Sequence, residues 1–257
     1  MSLHHAVGGH RDAPALVLGS SLGTTREMWE PQAGPLAERF RVVRYDRRGH
    51  GRSPVVAGPT TLDDLGADVL ALLDDLDLER VSFVGLSLGG LEGMWLALHA
   101  PERIDRLVLA CTAASFPPRE NWVERAFAVR ASGVGAIADA VLARWFGPVF
   151  REMRLDVVSH FEGMLRATPP EGYAACCEVL AEANLAPQLG AITAPTLVLT
   201  GSDDPAVPPA RGAELAAAIP GAEHVVIEGA AHIANVEQPE AFTAAVLRHL
   251  GPAGGSA

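Results

Sequence analysis

The chain reads as an α/β fold: a mostly parallel, doubly wound sheet with a helical segment inserted after the strand that ends near Cys111. Three observations predict this. Short apolar, β-branched runs alternate with helical patterns before Cys111 and again near the end of the chain, as βαβ units require. One turn, Gly85-Leu86-Ser87-Leu88-Gly89, joins a strand pattern directly to a helix pattern. From Phe116 to Gln188 no strand pattern occurs. Only helical segments stand there, broken by Pro117-Pro118, Gly133, Gly147-Pro148, Pro169-Pro170 and Pro187.

The elements follow in order. Residues 15–18 (Ala-Leu-Val-Leu) form a buried strand after a turn over residues 8–12, and run into a polar Gly/Ser loop, residues 19–25. Residues 29–40 are helical with a Pro-containing start. Residues 41–46 form the next strand, ending in a long basic loop over 47–54. An amphipathic helix covers 60–76, with Thr60 or Thr61 as its N-cap. A buried strand starts at Val81, and the helical run after Gly90 stops at Pro101. Residues 106–111 are another buried strand. The strand pattern resumes at 194–200 and 224–227, and 238–250 close the chain as a helix. The tail 251–257 is small and polar and is expected to fray. Residues 1–115 and 189–257 thus form the core. Residues 116–188 form a helical cap over the carboxyl edge of the sheet, where ligands bind in such folds.

Composition narrows the function. The 257 residues, 49% hydrophobic and 20% charged, are globular values. A net charge of −11 argues against nucleic acid and anionic membrane surfaces as partners. No apolar run approaches the roughly 18 residues that a membrane span needs. The N-terminus lacks a basic and apolar leader, so export is not expected. Three cysteines, two of them adjacent, give no disulfide framework and suit the cytoplasm. No Cys/His spacing fits zinc and no Gly-rich phosphate loop occurs, so neither metal nor cofactor is expected.

Gly-x-Ser-x-Gly between strand and helix is the setting of a nucleophile elbow. There Ser87 sits on a sharp turn, and a Cβ two residues to either side would collide with the helix or the neighbouring strand. The helix start aims free N–H groups at developing negative charge. A serine hydroxyl needs a base, and the base needs an orienting carboxylate. The order serine, acid, histidine is met downstream, in loops that follow late strands. His232, in Gly229-Ala230-Ala231-His232-Ile233, is the candidate base. His99, His160, His224 and His249 lie in or beside regular elements and read as structural or solvated. His4, His5 and His10 carry no signal, and His50 on the basic loop reads as a backbone-ordering residue. Of two adjacent aspartates, Asp204 is the candidate acid because Pro205 fixes its turn, and Asp203 reads as solvated or capping. Asp46 reads as pinned by neighbouring arginines. The oxyanion donors are expected to be the N–H groups of Leu88 and Leu22.

With these residues named, the chain resembles the α/β-hydrolases throughout, and within them the 3-oxoadipate enol-lactone hydrolases of bacterial aromatic degradation. The likeness rests on Ser20-Ser21-Leu22-Gly23-Thr24, Met28-Trp29, the stretch from Arg44 to Gly51, the elbow, and Ala231-His232-Ile233-Ala234-Asn235-Val236-Glu237-Gln238-Pro239. Trp122, Val129-Arg130-Ala131 and Arg144-Trp145-Phe146 match in the cap. The N-terminus departs in being short, so a first edge strand is expected to be missing. The resemblance implies hydrolysis of 3-oxoadipate enol-lactone to 3-oxoadipate through an acyl-enzyme on Ser87. That substrate carries a carboxylate, so a local cation should offset the repulsion of an anionic protein. Among Arg125, Arg130 and Arg144 of the cap, Arg130 and Arg144 are the candidates, with Trp122 and Trp145 as apolar walls. A carboxylesterase or cofactor-free perhydrolase would use the same triad, and a non-catalytic small-molecule receptor would have no use for it. A homo-oligomer remains compatible with all of these.

Overall fold

Each apolar run becomes a strand. In chain order they are β1 (His5–Gly8), β2 (Ala15–Gly19), β3 (Arg41–Tyr45), β4 (Val81–Leu86), β5 (Ile104–Ala110), β6 (Thr196–Gly201) and β7 (Glu223–Ile227). The computed structural model, which describes residues 2–251, joins them in one sheet in the order β1-β3-β2-β4-β5-β6-β7. All neighbours are parallel except β1, which runs antiparallel to β3. This is the doubly wound α/β architecture that the alternation predicts. One strand was not anticipated. The short N-terminus still supplies an edge strand, His5–Gly8, half of it exposed and so without the continuous apolar run that betrays a buried strand.

The central strands β4 and β6 are buried at every position, because helices cover both faces. Those helices are α1 (Glu30–Ala37), α2 (Leu62–Asp75), α3 (Leu88–His99), α9 (Pro209–Ala218), α10 (Ala234–Glu237) and α11 (Pro239–Leu250). Packing of α1 on α11 and of α2 on α3 gives two helical layers. The N-cap of α2 is Thr61, whose hydroxyl accepts the Asp64 N–H while the Asp64 carboxylate accepts the Thr61 N–H. The helix expected over 29–40 is a short 3-10 turn, Arg26–Trp29, followed by α1, which ends at Ala37. Between β5 and β6 stand α4 (Arg119–Ser132), α5 (Ala138–Trp145), α6 (Pro148–Met153), α7 (Leu155–Arg166) and α8 (Pro170–Glu182). No strand interrupts them, and α4 packs on α8. The tail expected to fray lies, beyond Gly251, outside the described residues. No described helix is long and apolar enough to cross a membrane.

Candidate active site

Ser87 closes the step from β4 to α3 at φ 59° and ψ −117°, a region that L-residues avoid. Its surroundings hold it there. The Ser87 N–H donates to the Ala110 carbonyl at 2.9 Å, and the Thr112 hydroxyl donates to the Ser87 carbonyl at 2.7 Å. The flanking glycines have the reason expected of them. A Cβ on Gly85 would run into the Gly89 carbonyl, and one on Gly89 into the Gly19 carbonyl. Helix α3 can therefore lie directly against β4 and β2, which places its first N–H groups beside the serine.

The loops that carry Asp204 and His232 leave β6 and β7 at the same sheet edge and are stitched together. The Asp203 N–H donates to the Ala230 carbonyl at 2.9 Å, and the Ser202 N–H to the Ile227 carbonyl at 3.0 Å. One oxygen of Asp204 receives His232 Nδ1 at 2.8 Å. The other accepts the Ala206 and Val207 N–H groups at 2.8 and 2.9 Å. The side chain is thus aimed by backbone donors of its own turn as well as by the proline that follows. Asp204 and His232 are 2% and 5% exposed, so water scarcely competes for their bond. Asp203 is exposed, and among the described residues its side chain accepts only the Ser202 hydroxyl. With Nδ1 engaged, Nε2 is the ring nitrogen left for chemistry. Ser87 and His232 both line one cavity of about 850 Å³; no hydrogen bond joins them among the described residues. In unliganded enzymes of this kind that bond is often long and tightens in the substrate complex.

Leu22 lines the same cavity, and neither its N–H nor that of Leu88 has a protein acceptor among the described residues. The loop that carries Leu22 is fixed from below. His50 Nε2 accepts the Gly23 N–H at 3.1 Å while Nδ1 faces the Arg48 carbonyl at 3.2 Å. Burial, aided by the Arg47 charge, pushes the His50 pKa down to about 3, so the ring stays neutral and can accept. His50 thus orders backbone, as the sequence indicates. Asp46 is held differently from the expectation: among the described residues its carboxylate meets His4 Nδ1 at 2.7 Å and the backbone N–H groups of Arg26 and Arg52, and no guanidinium group. His4, which carries no sequence signal, acquires its role only when β1 pairs with β3.

The cavity roof comes from the helical segment. Trp122, Arg125, Arg144, Trp145 and Tyr173 face it, with Arg211 from α9 at its side. The Arg125 guanidinium lies over the Trp122 ring, 4.6 Å from its centroid. Arg144 makes no ion pair or side-chain hydrogen bond among the described residues, and burial together with the nearby Arg125 charge lowers its pKa. Arg130 is a correction. It does not line the cavity; Glu171 and Glu178 grip its guanidinium from α8, which raises its pKa. The reason lies in the packing of α4 on α8: residues 125 and 130 are five apart and cannot share a helix face. Sequence spacing to Trp122 points to Arg125 instead, one turn away on the same face.

A strained serine at a strand–helix turn and a histidine held by an aspartate, with the serine and the histidine on the wall of one cavity, make up the arrangement a serine hydrolase needs, and the chain belongs to the α/β-hydrolase fold family, whose model matches residues 14–239. Within that family it is similar to 3-oxoadipate enol-lactonase 2 of Acinetobacter baylyi, 44% identical over 96% of this chain and 92% of that one. The crystal structure of the enol-lactonase from Burkholderia xenovorans LB400 superposes with a TM-score of 0.95 at 45% identity, covering 96% of each chain. A thermophilic esterase from Thermogutta terrifontis, solved with malate bound, superposes at 0.92 with 32% identity, covering 96% of this chain and 92% of that one.

Proposed function

We propose that this enzyme hydrolyses 3-oxoadipate enol-lactone to 3-oxoadipate, with Ser87 as nucleophile, His232 as general base and Asp204 as its orienting acid. The observation that carries the reading is Ser87 and the Asp204-bound His232 on the wall of one cavity that also holds Arg144, unpaired among the described residues. Similarity to the two enol-lactonases over nearly the whole chain supports the choice of substrate.

Ser87 Oγ attacks the lactone carbonyl as His232 Nε2 takes its proton, and the oxyanion is received by the N–H groups of Leu22 and Leu88. The C–O bond of the ring then breaks. The leaving oxygen is an enolate, a far better leaving group than an alkoxide. It takes the proton back from His232 and tautomerises to the ketone. Water, deprotonated in turn by His232, cleaves the acyl-serine and releases the second carboxylate. In this reading residues 116–188 act as a cap that shields the acyl-enzyme. Arg144 receives the carboxylate that the lactone already carries, while Trp122 and Trp145 flank its apolar carbons. A general ester hydrolase is the second reading, favoured by the likeness to the Thermogutta esterase.

The test is turnover of the enol-lactone by the wild type and by Ser87→Ala. The variant should lose activity by at least about 10⁴-fold while keeping its fold. Retention of turnover would sink the assignment. Efficient turnover of aryl acetates with none of the lactone would favour the second reading.

A further inference from the structure

Glu237 takes no part in the steps above, yet it is a carboxylate only 9% exposed. It has no cationic partner among the described residues, so its burial is costly unless its oxygens are otherwise satisfied. They are, and the choice of donors is informative. One oxygen accepts the Gly147 N–H at 2.8 Å, at the junction of α5 and α6 in the helical segment. The other accepts the N–H of Ala231, the residue before His232. A parallel link runs from the residue after His232: the Ile233 N–H donates to the Trp145 carbonyl at 3.0 Å. The base is therefore tied on both sides to residues 145 and 147. Trp145 is itself a wall of the cavity.

We propose that Glu237 is a positioning residue that locks the turn carrying His232 to the Trp145–Gly147 corner of the cap, so that the seat of the cap and the place of the imidazole are set together. The inference rests on the reading of His232 as general base. Its chemistry is specific. Both partners of Glu237 are donors, so both of its oxygens must accept, and only an ionised carboxylate offers two acceptors in a side chain of this length. Glutamine has the same size but turns one acceptor into a donor and faces it against an N–H. Aspartate keeps the acceptors but is one methylene short of spanning both amides.

The experiment compares Glu237→Gln, Glu237→Asp, His232→Ala and the wild type, as full chains at a temperature where melting curves show each to be folded. It measures kcat and KM for the enol-lactone and amide hydrogen exchange at Gly147 and Ala231. For Glu237→Gln we expect kcat to fall about ten- to a hundredfold, the size of effect a misplaced catalytic group produces. KM should stay within about threefold and both amides should exchange faster. Glu237→Asp should show the same split, more weakly, and serves alone if the glutamine variant does not fold. An unchanged kcat in the folded variants, a loss matched by the unfolded fraction, or a change confined to KM would overturn the proposal. Because His232→Ala is measured alongside, the two ideas fail separately. An active His232→Ala enzyme removes the base assignment, whereas an inactive one beside a fully active Glu237→Gln removes only the coupling.

Discussion

His50 shows how much one buried ring can carry. It must be neutral to accept the Gly23 N–H, and burial keeps it so by depressing its pKa from about 6.5 to about 3. The unfolded chain therefore binds a proton near pH 6.5 that the folded chain refuses until about pH 3. The stability this residue contributes is present above pH 6.5 and is lost as pH falls through that window. Urea unfolding of the wild type at pH 7, 6, 5 and 4 should show stability falling with pH. In His50→Gln, which cannot titrate, the fall should be shallower. Parallel slopes would show that His50 is not the group responsible. The sequence marks His50 as a backbone-ordering residue, but its partner, 27 positions away, is visible only in the fold.

At the scale of elements, α3 joins the elbow to the rest of the core. Ten of its twelve residues are buried, and one of these is Glu92. The Tyr45 hydroxyl donates to it at 2.6 Å and the Arg47 guanidinium holds both of its oxygens, while Arg47 also reaches the Ser20 carbonyl at 2.7 Å. The end of β3, the first turns of α3 and the loop before Leu22 are thus bound through one ion pair. A buried pair adds little over apolar packing, but removing one member strands a charge. Glu92→Ala should cost about 3–5 kcal/mol in urea unfolding. Glu92→Ala combined with Arg47→Met should recover part of that loss. A double variant as unstable as the sum of its single variants would contradict this account.

At the scale of the molecule, charge and shape are divided between layers. The chain carries a net charge of −11, yet among the described residues the cavity presents Arg125, Arg144 and Arg211 against a single lining carboxylate, Glu124. An anionic substrate meets local attraction inside a repelling envelope. Arg144→Ala should raise KM for the enol-lactone about tenfold, the loss of one charge-assisted bond. It should leave KM for p-nitrophenyl acetate within about twofold, since that ester has no carboxylate to bind. Equal effects on the two substrates would count against a carboxylate site at Arg144. Arg130→Ala, which lies outside the cavity, should leave both constants near wild type.

Local chemistry written along the chain determined six of the seven strands, the elbow turn and the candidates Ser87, Asp204 and His232, because strand alternation, turn glycines and Pro205 act over a few residues and leave their mark there. Tertiary structure alone decided that Arg130 turns from the cavity to Glu171 and Glu178, that His4 and two backbone amides hold Asp46, and that Glu237 reaches Gly147 ninety positions away. Those pairings depend on how helices rotate and loops meet when they pack, and side-chain spacing within one segment does not encode the rotation of the next.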